Sequence, residues 1–420
     1  MRVLLSLLTI GVAVPGSIAS AQVTEAHREL ARRVLSTTPL IDGHNDLPWA
    51  IRQDPNMTRD VEAYDLRKKA PGHTDIERLR KGMLGGQFWS VYIPGEIRDS
   101  GYARVQLEQI DIARRIIEKY PDVLQYCETA LCMRQAFAAG RIGSLLGMEG
   151  GHAIENSLGA LRAFYTLGSR YMTLTHNVTL DWADAASGPA RHNGLSRFGE
   201  EVVREMNRLG MLVDLSHVSP AVMSDAIRVS EAPVMFSHSN ARQLADVGRN
   251  VPDSILQKLP ANGGVIMVTF VDMFTSQEYA TWNTQQSAAQ ADARRRFPND
   301  AGARERAIAE WRAKNPRPKV TLSQVADHID HIRKVASVDN IGIGGDFDGI
   351  STVIEGLEDV STYPALFAEL ARRGWTETDL RKLAGENILR AFEQAERVAA
   401  RLQLERPAST KTIQQLDGKA

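Results

Sequence analysis

Eight short apolar runs alternate with longer helical patterns along this 420-residue chain, and this alternation limits the folds open to it. Each run is apolar on both faces, which is typical of parallel strands covered by helices. They predict an α/β fold, a (β/α)8 barrel of the TIM type, with a doubly wound open sheet as the alternative. The runs are residues 39–42, 87–93, 144–148, 171–175, 211–215, 233–236, 264–270 and 341–344.

The segments between these runs carry apolar residues at three- and four-residue spacing, which indicates amphipathic helices. Residues 277–318 are polar and rich in Ala and Arg, and they predict a helical insertion between strands seven and eight. Residues 376–402 predict two C-terminal helices, with a turn and cap at residues 385–387 between them. The clearest other helices are residues 103–120, 197–209, 220–229 and 322–335.

The two ends of the chain suggest an exported protein with one domain. Arg2, the apolar stretch 3–14 and Ala19-Ser20-Ala21 have the pattern of a signal peptide cleaved after Ala21, with an uncleaved N-terminal helix as the alternative. Residues 22–403 are then a single domain, and residues 404–420 a polar tail that lacks the pattern of a lipid anchor. We therefore expect a secreted or periplasmic protein without a membrane anchor.

Composition excludes some classes of partner and bears on the state of the cysteines. Lys and Arg total 50 and Asp and Glu 51, so there is no electrostatic case for binding nucleic acid or an anionic membrane. Export would permit a disulfide between Cys127 and Cys132, the two cysteines of the chain. However, their stretch looks helical, and residues five apart on a helix point to different faces. The sequence therefore favours two free thiols over a bond.

Side chains that can bind metals follow most of the predicted strands at their C-terminal ends. In a barrel these ends converge on one face, where active sites form. Each residue alone is a weak signal, since a histidine can be satisfied by core carbonyls and a carboxylate can begin a helix. Together on one rim they predict a metal site. The residues are His44, Asp46, Glu149, His176, His217, His238, Asp346 and Asp348.

Imidazole and carboxylate ligands without thiolate suit Zn²⁺, with Mn²⁺, Co²⁺ or Fe²⁺ as alternatives. Three histidines (His44, His217 and His238) and two carboxylates (Asp46 and Glu149) exceed the needs of one tetrahedral zinc and fit two ions that share a carboxylate. Glu149 is the expected bridge, because its strand lies between those of the other ligands. Two cations would lower the pKa of a bridging water and make hydroxide available near neutral pH.

The strings around these residues are IDGHNDLPW (41–49), GGQFWSVY (85–92), GMEGGH (147–152), LTHN (174–177), DLSH (214–217), SHS (237–239), RNVPD (249–253), GDFDG (345–349) and GLEDV (356–360). They closely resemble those of the membrane (renal) dipeptidase family of zinc metallopeptidases, which have amidohydrolase-type barrels. The resemblance runs from about residue 40 to residue 396. It implies an enzyme that hydrolyses free dipeptides, including those with a C-terminal D-residue, and a homodimer.

The resemblance also implies a metal content of two Zn²⁺ per chain. His44 and Asp46 would bind one zinc, His217 and His238 would bind the other, and Glu149 would bridge them and act in catalysis.

The resemblance further implies the residues that handle substrate. His176 would contact substrate and stabilise the oxyanion, and Arg249 would hold the C-terminal carboxylate, which suits a guanidinium. Asp346 would lie beside the attacking water and the substrate amine and handle protons; it matches the family's functional Asp better than Asp348. His152 would orient a ligand.

The chain departs from the mammalian members in its longer insertion at residues 277–318, so substrate access there is expected to differ. β-Lactam ring opening would be a side activity of such an enzyme. Two other functions stay open at this stage. One is a related two-zinc amidohydrolase that acts on N-acyl amino acids or lactones, and the other is a metal-bearing binding protein without turnover.

Overall fold

The computed structural model describes residues 22–97 and 101–418, so the predicted signal peptide, residues 1–21, lies outside the described residues. The strands all run parallel. They are β1 Leu40–Asn45, β2 Leu84–Ser90, β3 Leu124–Tyr126, β4 Ile142–Glu149, β5 Ser169–Thr173, β6 Leu212–Asp214, β7 Met235–Phe236, β8 Val265–Val268 and β9 Ile341–Ile343.

Eight of these strands form a closed barrel in the order β1-β2-β4-β5-β6-β7-β8-β9. The ring closes because β2 pairs with β4 along residues 86–90, and β9 returns to β1 where Ile343 pairs with Asp42. All eight predicted strands are in the ring. The predicted (β/α)8 barrel is therefore confirmed, and the open-sheet alternative is wrong.

The strand β3 was not predicted from the sequence. It pairs with residues 142–144 of β4, and β5 takes over at residues 146–149. Since β2 occupies the other edge of β4, β3 and β5 share one edge. Three residues are too few to show a periodicity, which is why the sequence pattern did not reveal this strand.

Helices surround the barrel, and among the described residues none combines the length and apolar character needed to cross a bilayer. They are α1 Glu25–Thr37, α2 Leu47–Gln53, α3 Ile76–Lys81, α4 Tyr102–Lys119, α5 Ala130–Ala138, α6 Leu158–Thr166, α7 Arg197–Leu209, α8 Pro220–Val229, α9 Asp253–Leu256, α10 Leu259–Asn262, α11 Asp272–Thr275, α12 Gln277–Arg296, α13 Ala301–Lys314, α14 Leu322–Val335, α15 Tyr363–Arg372, α16 Glu377–Arg381, α17 Asn387–Glu405 and α18 Ile413–Asp417.

Local capping explains why the bounds of α7, α8 and α14 agree with the prediction. The side chains of Ser196 and Ser219 accept hydrogen bonds from backbone N–H groups three residues on. Thr321 forms a capping box with Gln324 at the start of α14. These caps satisfy N–H groups that lack partners within the helix, so the start of each helix is encoded nearby.

One glycine makes room inside the barrel for a side chain that reaches the metal-capable residues. A Cβ on Gly147 of β4 would lie 1.7 Å from the ring of Tyr171 on β5. The Tyr171 ring can therefore occupy the barrel interior beside β4. Its hydroxyl lies 3.1 Å from Nδ1 of His44.

The predicted insertion between barrel strands seven and eight is confirmed as a helical hairpin, α12 and α13. The Trp282 and Trp311 rings, one from each helix, lie 6.0 Å apart. Trp282 donates its indole N–H to the Asn315 carbonyl, 2.9 Å away. Asp272, just before the hairpin, is 2.8 Å from Arg317, just after it. These contacts hold the two ends of the hairpin together.

The predicted turn before α17 is wrong, because one π-helical turn, Lys382–Glu386, joins α16 to α17. A Cβ on Gly385 would lie 2.3 Å from the Pro39 carbonyl oxygen. The glycine thus permits a close approach to the start of β1 and does not end a helix. Asn387 donates Nδ2–H to the Ile341 carbonyl, 2.9 Å away at the start of β9, so it does not cap a helix either.

The C-terminal segment packs back onto the helices around the barrel. Asp417 in α18 accepts hydrogen bonds from the Ser196 hydroxyl at 2.6 Å and from the Arg197 N–H at 3.0 Å. Ile413 is buried. The segment that the sequence marks as a polar tail therefore caps the N-terminus of α7.

Cys127 and Cys132 form a disulfide, so the expectation of two free thiols is wrong. Only Cys132 lies in α5, which begins at Ala130, whereas Cys127 directly follows β3. The two Cα atoms are 5.4 Å apart. The helical geometry on which the expectation depended does not apply, because the chain turns between the strand and the helix.

Candidate metal centre and active site

The ends of the strands bring the predicted metal ligands together at the mouth of the barrel. His44 lies in β1, and Asp46 directly follows that strand. Glu149 is the last residue of β4, and His217 and His238 follow β6 and β7. All five side chains are buried. Residues that are far apart in the chain thus form one cluster.

Glu149 lies at the centre of this cluster and directs one carboxylate oxygen to each side. Oε2 is 3.4 Å from Nε2 of His44. Oε1 is 2.9 Å from Nε2 of His217 and 3.6 Å from Nε2 of His238. Asp46 Oδ2 lies 3.3 Å from His44 Nε2, on the Oε2 side. The cluster therefore has two halves that share Glu149.

The polar atoms of the cluster fit metal ions better than a hydrogen-bonded core. His44 Nε2 and Asp46 Oδ1 are buried and have no hydrogen-bond partner in the described structure, although buried polar groups nearly always have one. Nε2 of His217 and Nε2 of His238 face each other at 2.9 Å, where only one hydrogen can lie. Two candidate ligand groups share Glu149, one with His44 and Asp46 and the other with His217 and His238, and a third group combines His44 and His238 with Asp346.

Hydrogen bonds at Nδ1, the ring nitrogen that points away from Glu149, set the tautomers of His217 and His238. His217 Nδ1 donates to the side-chain oxygen of Asn177 at 3.2 Å. Ser237 donates its hydroxyl to Asp214 at 2.6 Å, so its oxygen accepts from His238 Nδ1 at 2.8 Å. With Nδ1 as the donor in both rings, the lone pair is on Nε2, the atom that faces Glu149.

Burial and charge shift the pKa values of the cluster. Burial lowers the pKa of His217 and His238 well below the ordinary range, which keeps both rings neutral. Burial also opposes protonation of His44, but the adjacent Tyr171 hydroxyl and the carboxylates of Glu149 and Asp46 outweigh it and raise its pKa. Burial raises the pKa of Glu149. Neutral imidazole is the form that binds a metal ion.

Three residues of the mouth have left-handed backbone conformations, which are uncommon without glycine. The φ angles of His217, Asp346 and Asp348 are 68°, 64° and 65°. Such conformations cost about 1–3 kcal/mol each and persist where the surrounding structure imposes them. Here they turn the chain sharply after β6 and β9, so that these side chains lie at the mouth.

Asp346 and Asp348 lie in different surroundings. Asp346 Oδ1 is 3.9 Å from His44 Nε2. Asp348 instead accepts the His73 N–H at 2.7 Å, and its own N–H donates to His73 Nδ1 at 3.0 Å. Asp346 therefore lies beside the cluster, while Asp348 holds the loop that carries His73 to the strand end.

His176 lies beside the cluster and opens to the cleft. Its Nε2 is 3.8 Å from Glu149 Oε1, and its ring lies 4.7 Å from the ring of Tyr92. Burial lowers the pKa of His176 to about 3, so the ring is neutral at ordinary pH. A neutral imidazole can donate an N–H without carrying a charge.

Arg249 is a buried cation, and some of its hydrogen-bond donors have no partner in the described structure. Its Nη2 donates to the His238 carbonyl at 3.5 Å, while Nε and Nη1 have no partner in the described structure. The guanidinium lies 5.1 Å from the centre of the Phe274 ring. Burial lowers the pKa of Arg249 to about 10, and the group is still charged at neutral pH. A bound anion would pair with this charge and accept hydrogen bonds from the unpartnered N–H groups.

His152 is buried beside Gly150, the residue that follows Glu149. Its Nε2 donates to the Ile93 carbonyl at 2.9 Å, and its ring lies 4.9 Å from that of Tyr102. The ring also fills the space beside Gly150, where a Cβ would lie 2.1 Å from a ring atom. The role expected from the sequence, orienting a metal ligand, stays a prediction.

This arrangement matches a known family over most of the chain. The model of the family described as membrane dipeptidase (Peptidase family M19) matches residues 28–406. The chain belongs to this family. It is a metallo-dipeptidase, as the resemblance implied.

Solved structures of other proteins support the fold and the family. The dipeptidase AC, a metallopeptidase of family M19, is 26% identical with a TM-score of 0.70 and covers 86% of this chain and 99% of its own. A metallopeptidase from Rhodobacter sphaeroides with a bound phosphinate mimic of L-Ala-D-Ala is 25% identical with a TM-score of 0.70, covering 85% and 99%. The "probable dipeptidase PvdM" of Pseudomonas aeruginosa, at 23% identity and a TM-score of 0.76, covers 89% and 100% and supports the fold alone.

The cluster of the dipeptidase opens into one large cleft of about 1290 Å³. One wall consists of residues from the strand ends, and the other comes from the hairpin α12–α13 and nearby loops. The strand-end wall includes Asp46, Glu149, His176, His217, His238, Arg249 and Asp346. The hairpin wall includes Tyr279, Trp282, Asn283, Gln286, Arg312 and Arg317.

Several contributors to the dipeptidase site were not identified from the sequence. Tyr171, Asp214, Ser237 and Asn177 act through the outer nitrogens of the histidines. A signal existed for three of them, since Asn177, Asp214 and Ser237 lie within the matching strings at residues 174–177, 214–217 and 237–239. No such signal marks Tyr171, whose ring reaches His44 from another strand.

Proposed function

We propose that this dipeptidase binds two zinc ions and hydrolyses free dipeptides, including those with a C-terminal D-residue. The observation that carries the proposal is the central position of Glu149, with one oxygen toward His44 and the other toward His217. The phosphinate mimic of L-Ala-D-Ala bound by the Rhodobacter sphaeroides metallopeptidase supports the D-residue.

The donor set supports zinc and a count of two. His44 and Asp46 would hold one ion, and His217 and His238 the other, with Glu149 shared. Nitrogen and carboxylate oxygen without sulfur suit zinc. Bound zinc would act as a Lewis acid toward a carbonyl and lower the pKa of a water ligand.

Arg249 would hold the C-terminal carboxylate of the substrate. Its Nε and Nη1 are without partners and buried, and leaving such groups unpaired is costly. A carboxylate accepts two N–H groups of a guanidinium at once, which also orients the substrate.

His176 and Asp346 would act on the peptide bond itself. His176 would donate its N–H to the carbonyl oxygen as negative charge develops there, which stabilises the transition state more than the bound substrate. Asp346 lies at the same mouth, 3.9 Å from His44 Nε2. It would accept a proton from the attacking water and return it to the leaving amine.

Recognition of both ends would limit the enzyme to dipeptides. Arg249 would engage the carboxylate at one end, and the carboxylate of Asp346 would face the free amine at the other. A longer peptide would place an uncharged amide beside Arg249 or Asp346 in place of the charged terminus, so its binding would be weaker.

Metal analysis and a substrate panel test this proposal together. We expect about two zinc equivalents per chain, hydrolysis of L,L- and L,D-dipeptides, and loss of activity with a chelator that Zn²⁺ reverses. Absence of dipeptide hydrolysis together with turnover of N-acyl amino acids or lactones would favour a related amidohydrolase. Metal binding with no turnover of any of these substrates would favour a binding protein.

Substitution of Arg249 separates substrate binding from chemistry. Arg249→Ala should raise KM for dipeptides about ten- to a hundredfold, the cost of losing a hydrogen bond to a charged group. Arg306→Ala, a matched change at an exposed residue of α13, should leave KM unchanged. Steady-state kinetics give both values, and an unaltered KM in Arg249→Ala would remove Arg249 from carboxylate binding.

We also propose that the enzyme works outside the cytoplasm as a secreted or periplasmic protein. The signal-like pattern of residues 1–21 and the Cys127–Cys132 disulfide support this compartment. Cell fractionation and N-terminal sequencing test it, with Gln22 as the expected first residue. Dimerisation stays a prediction from the family resemblance, and light scattering of the purified protein tests it.

A further inference from the structure

The cleft of this enzyme is larger than a dipeptide requires. It measures about 1290 Å³, whereas sites for drug-sized ligands occupy roughly 300–1,000 Å³. The residues proposed to bind the dipeptide line one wall only. The opposite wall comes mostly from the hairpin α12–α13, and the proposed reaction uses none of its residues.

One face of α12 is turned toward the cleft. Tyr279, Trp282, Asn283 and Gln286 all line the cavity. Their spacing of three, four and seven residues places them on a single face of the helix. This face presents aromatic rings and side-chain amides, and Gln286 Oε1 has no hydrogen-bond partner in the described structure.

The hairpin also contributes a cation. Arg317 is paired with Asp272 at 2.8 Å. Arg312 is exposed, lines both the cleft and a smaller groove between α12 and α13, and has no carboxylate partner among the described residues. The positive charge of Arg312 is therefore available to a ligand. A carboxylate is the group that a guanidinium binds best.

Contacts with loops of the barrel anchor the wall formed by the hairpin α12–α13. The carboxylate of Asp272, which follows β8, binds Arg317 at the end of the hairpin and also the hydroxyl of Thr352 after β9. The Arg317 guanidinium lies 5.1 Å from the centre of the Tyr279 ring. Loops after two barrel strands thus anchor the hairpin, so its cleft-facing residues have a defined position relative to the metal-capable cluster.

We propose that this face of α12, together with Arg312, is a side-chain subsite for dipeptides that carry a long side chain with an amide and a terminal carboxylate. The aromatic rings would pack against the methylene groups, the side-chain amides would pair with the substrate amide, and Arg312 would bind the carboxylate. The inference rests on the proposed dipeptidase function, and it adds a substrate class to it.

A pair of dipeptides that differ in one charge tests the subsite. The acidic substrates are dipeptides of Nε-succinyl-lysine and alanine, made in both sequence orders. In the matched neutral substrates the terminal carboxylate of the succinyl group is replaced by an amide. Hydrolysis of Ala-Ala gives the baseline activity. In the wild type, kcat/KM should be about five- to tenfold higher for the acidic form than for the neutral form, for at least one order. Arg312→Ala should abolish this preference.

A matched control keeps the test specific. Arg306→Ala removes the same charge from an exposed position of α13 that does not line the cleft, and the preference should persist in it. Equal kcat/KM ratios in the wild type and Arg312→Ala would overturn the proposal. Thermal melting of each variant shows whether the hairpin is still folded.

Failure of the subsite and failure of the dipeptidase proposal give different results. If Ala-Ala is hydrolysed without any preference between the acidic and neutral forms, the subsite is wrong and the dipeptidase proposal stands. If Ala-Ala is not hydrolysed, calorimetric Kd values for the acidic and neutral compounds still decide the subsite. A Kd ratio that falls about five- to tenfold in Arg312→Ala supports it, and an unchanged ratio contradicts it.

Discussion

Glu149 joins the two halves of the metal-capable cluster because its two oxygens face different histidines. We predict that Glu149→Gln loses metal as well as activity. The amide group of glutamine has one oxygen and one NH₂, and NH₂ does not bind a cation. Elemental analysis should show fewer than two zinc equivalents, and two full equivalents in this variant would contradict a bridging role.

Asp214 acts on His238 through Ser237. The carboxylate accepts the Ser237 hydroxyl at 2.6 Å and the Ser237 N–H at 2.8 Å. In Asp214→Asn the amide would donate to Ser237, whose hydroxyl would then donate to His238 Nδ1. The proton of His238 would move to Nε2, the nitrogen that faces Glu149.

We therefore predict that Asp214→Asn lowers zinc affinity about 10- to 100-fold, the usual effect of losing a group that orients a metal ligand. Competition with a chromophoric chelator measures it. Asp111→Asn, a change at an exposed carboxylate paired with Arg115, should retain wild-type affinity. Wild-type affinity in Asp214→Asn would show that Ser237 orients His238 without help.

At the level of elements, α14 holds two loops of the mouth through a buried histidine. His328 Nδ1 accepts the Ala241 N–H at 3.1 Å, and its Nε2 donates to the Thr275 carbonyl at 3.0 Å. Burial lowers the pKa of His328 to about 4 from the ordinary 6.5. At a pH between these two values, the ring is therefore neutral in the folded protein and protonated in the unfolded chain.

This difference makes stability depend on pH. Between about pH 6.5 and pH 4 the unfolded chain binds more protons at His328, so the free energy of unfolding falls as the pH falls through this window. From pH 7.5 to pH 5 we expect His328 to account for a loss of about 2 kcal/mol. Denaturant unfolding at both pH values should show a smaller loss in His328→Gln, and an identical loss in both proteins would contradict this account.

Elements differ in how far the local sequence encodes them. The bounds of α7, α8 and α14 could be predicted because Ser196, Ser219 and Thr321 cap the helices they precede. The junction before α17 could not, because Gly385 is required by its contact with the Pro39 carbonyl and not by the helix itself. The sequence alone does not distinguish a glycine that ends a helix from a glycine that a distant contact requires.

For the whole molecule, removal of metal should lower stability. The cluster buries three histidines and two carboxylates at the barrel mouth. Ions that bind the folded chain and not the unfolded one stabilise it by mass action. A chelator should lower Tm by about 5–10 °C, and added Zn²⁺ should restore it. Calorimetric scans measure this, and an unchanged Tm after verified metal removal would argue against ions in the cluster.

The sequence by itself determined the barrel, the hairpin insertion and the set of polar residues at the strand ends. Apolar periodicity and helix caps act over a few residues, so they can be recognised in the chain alone. Only the tertiary structure decided that the two oxygens of Glu149 face different histidines, that Asp214 orients His238 through Ser237, and that Arg312 faces the cleft. Each of these depends on distances between distant segments, which exist only once the barrel closes and packing sets the strand ends side by side.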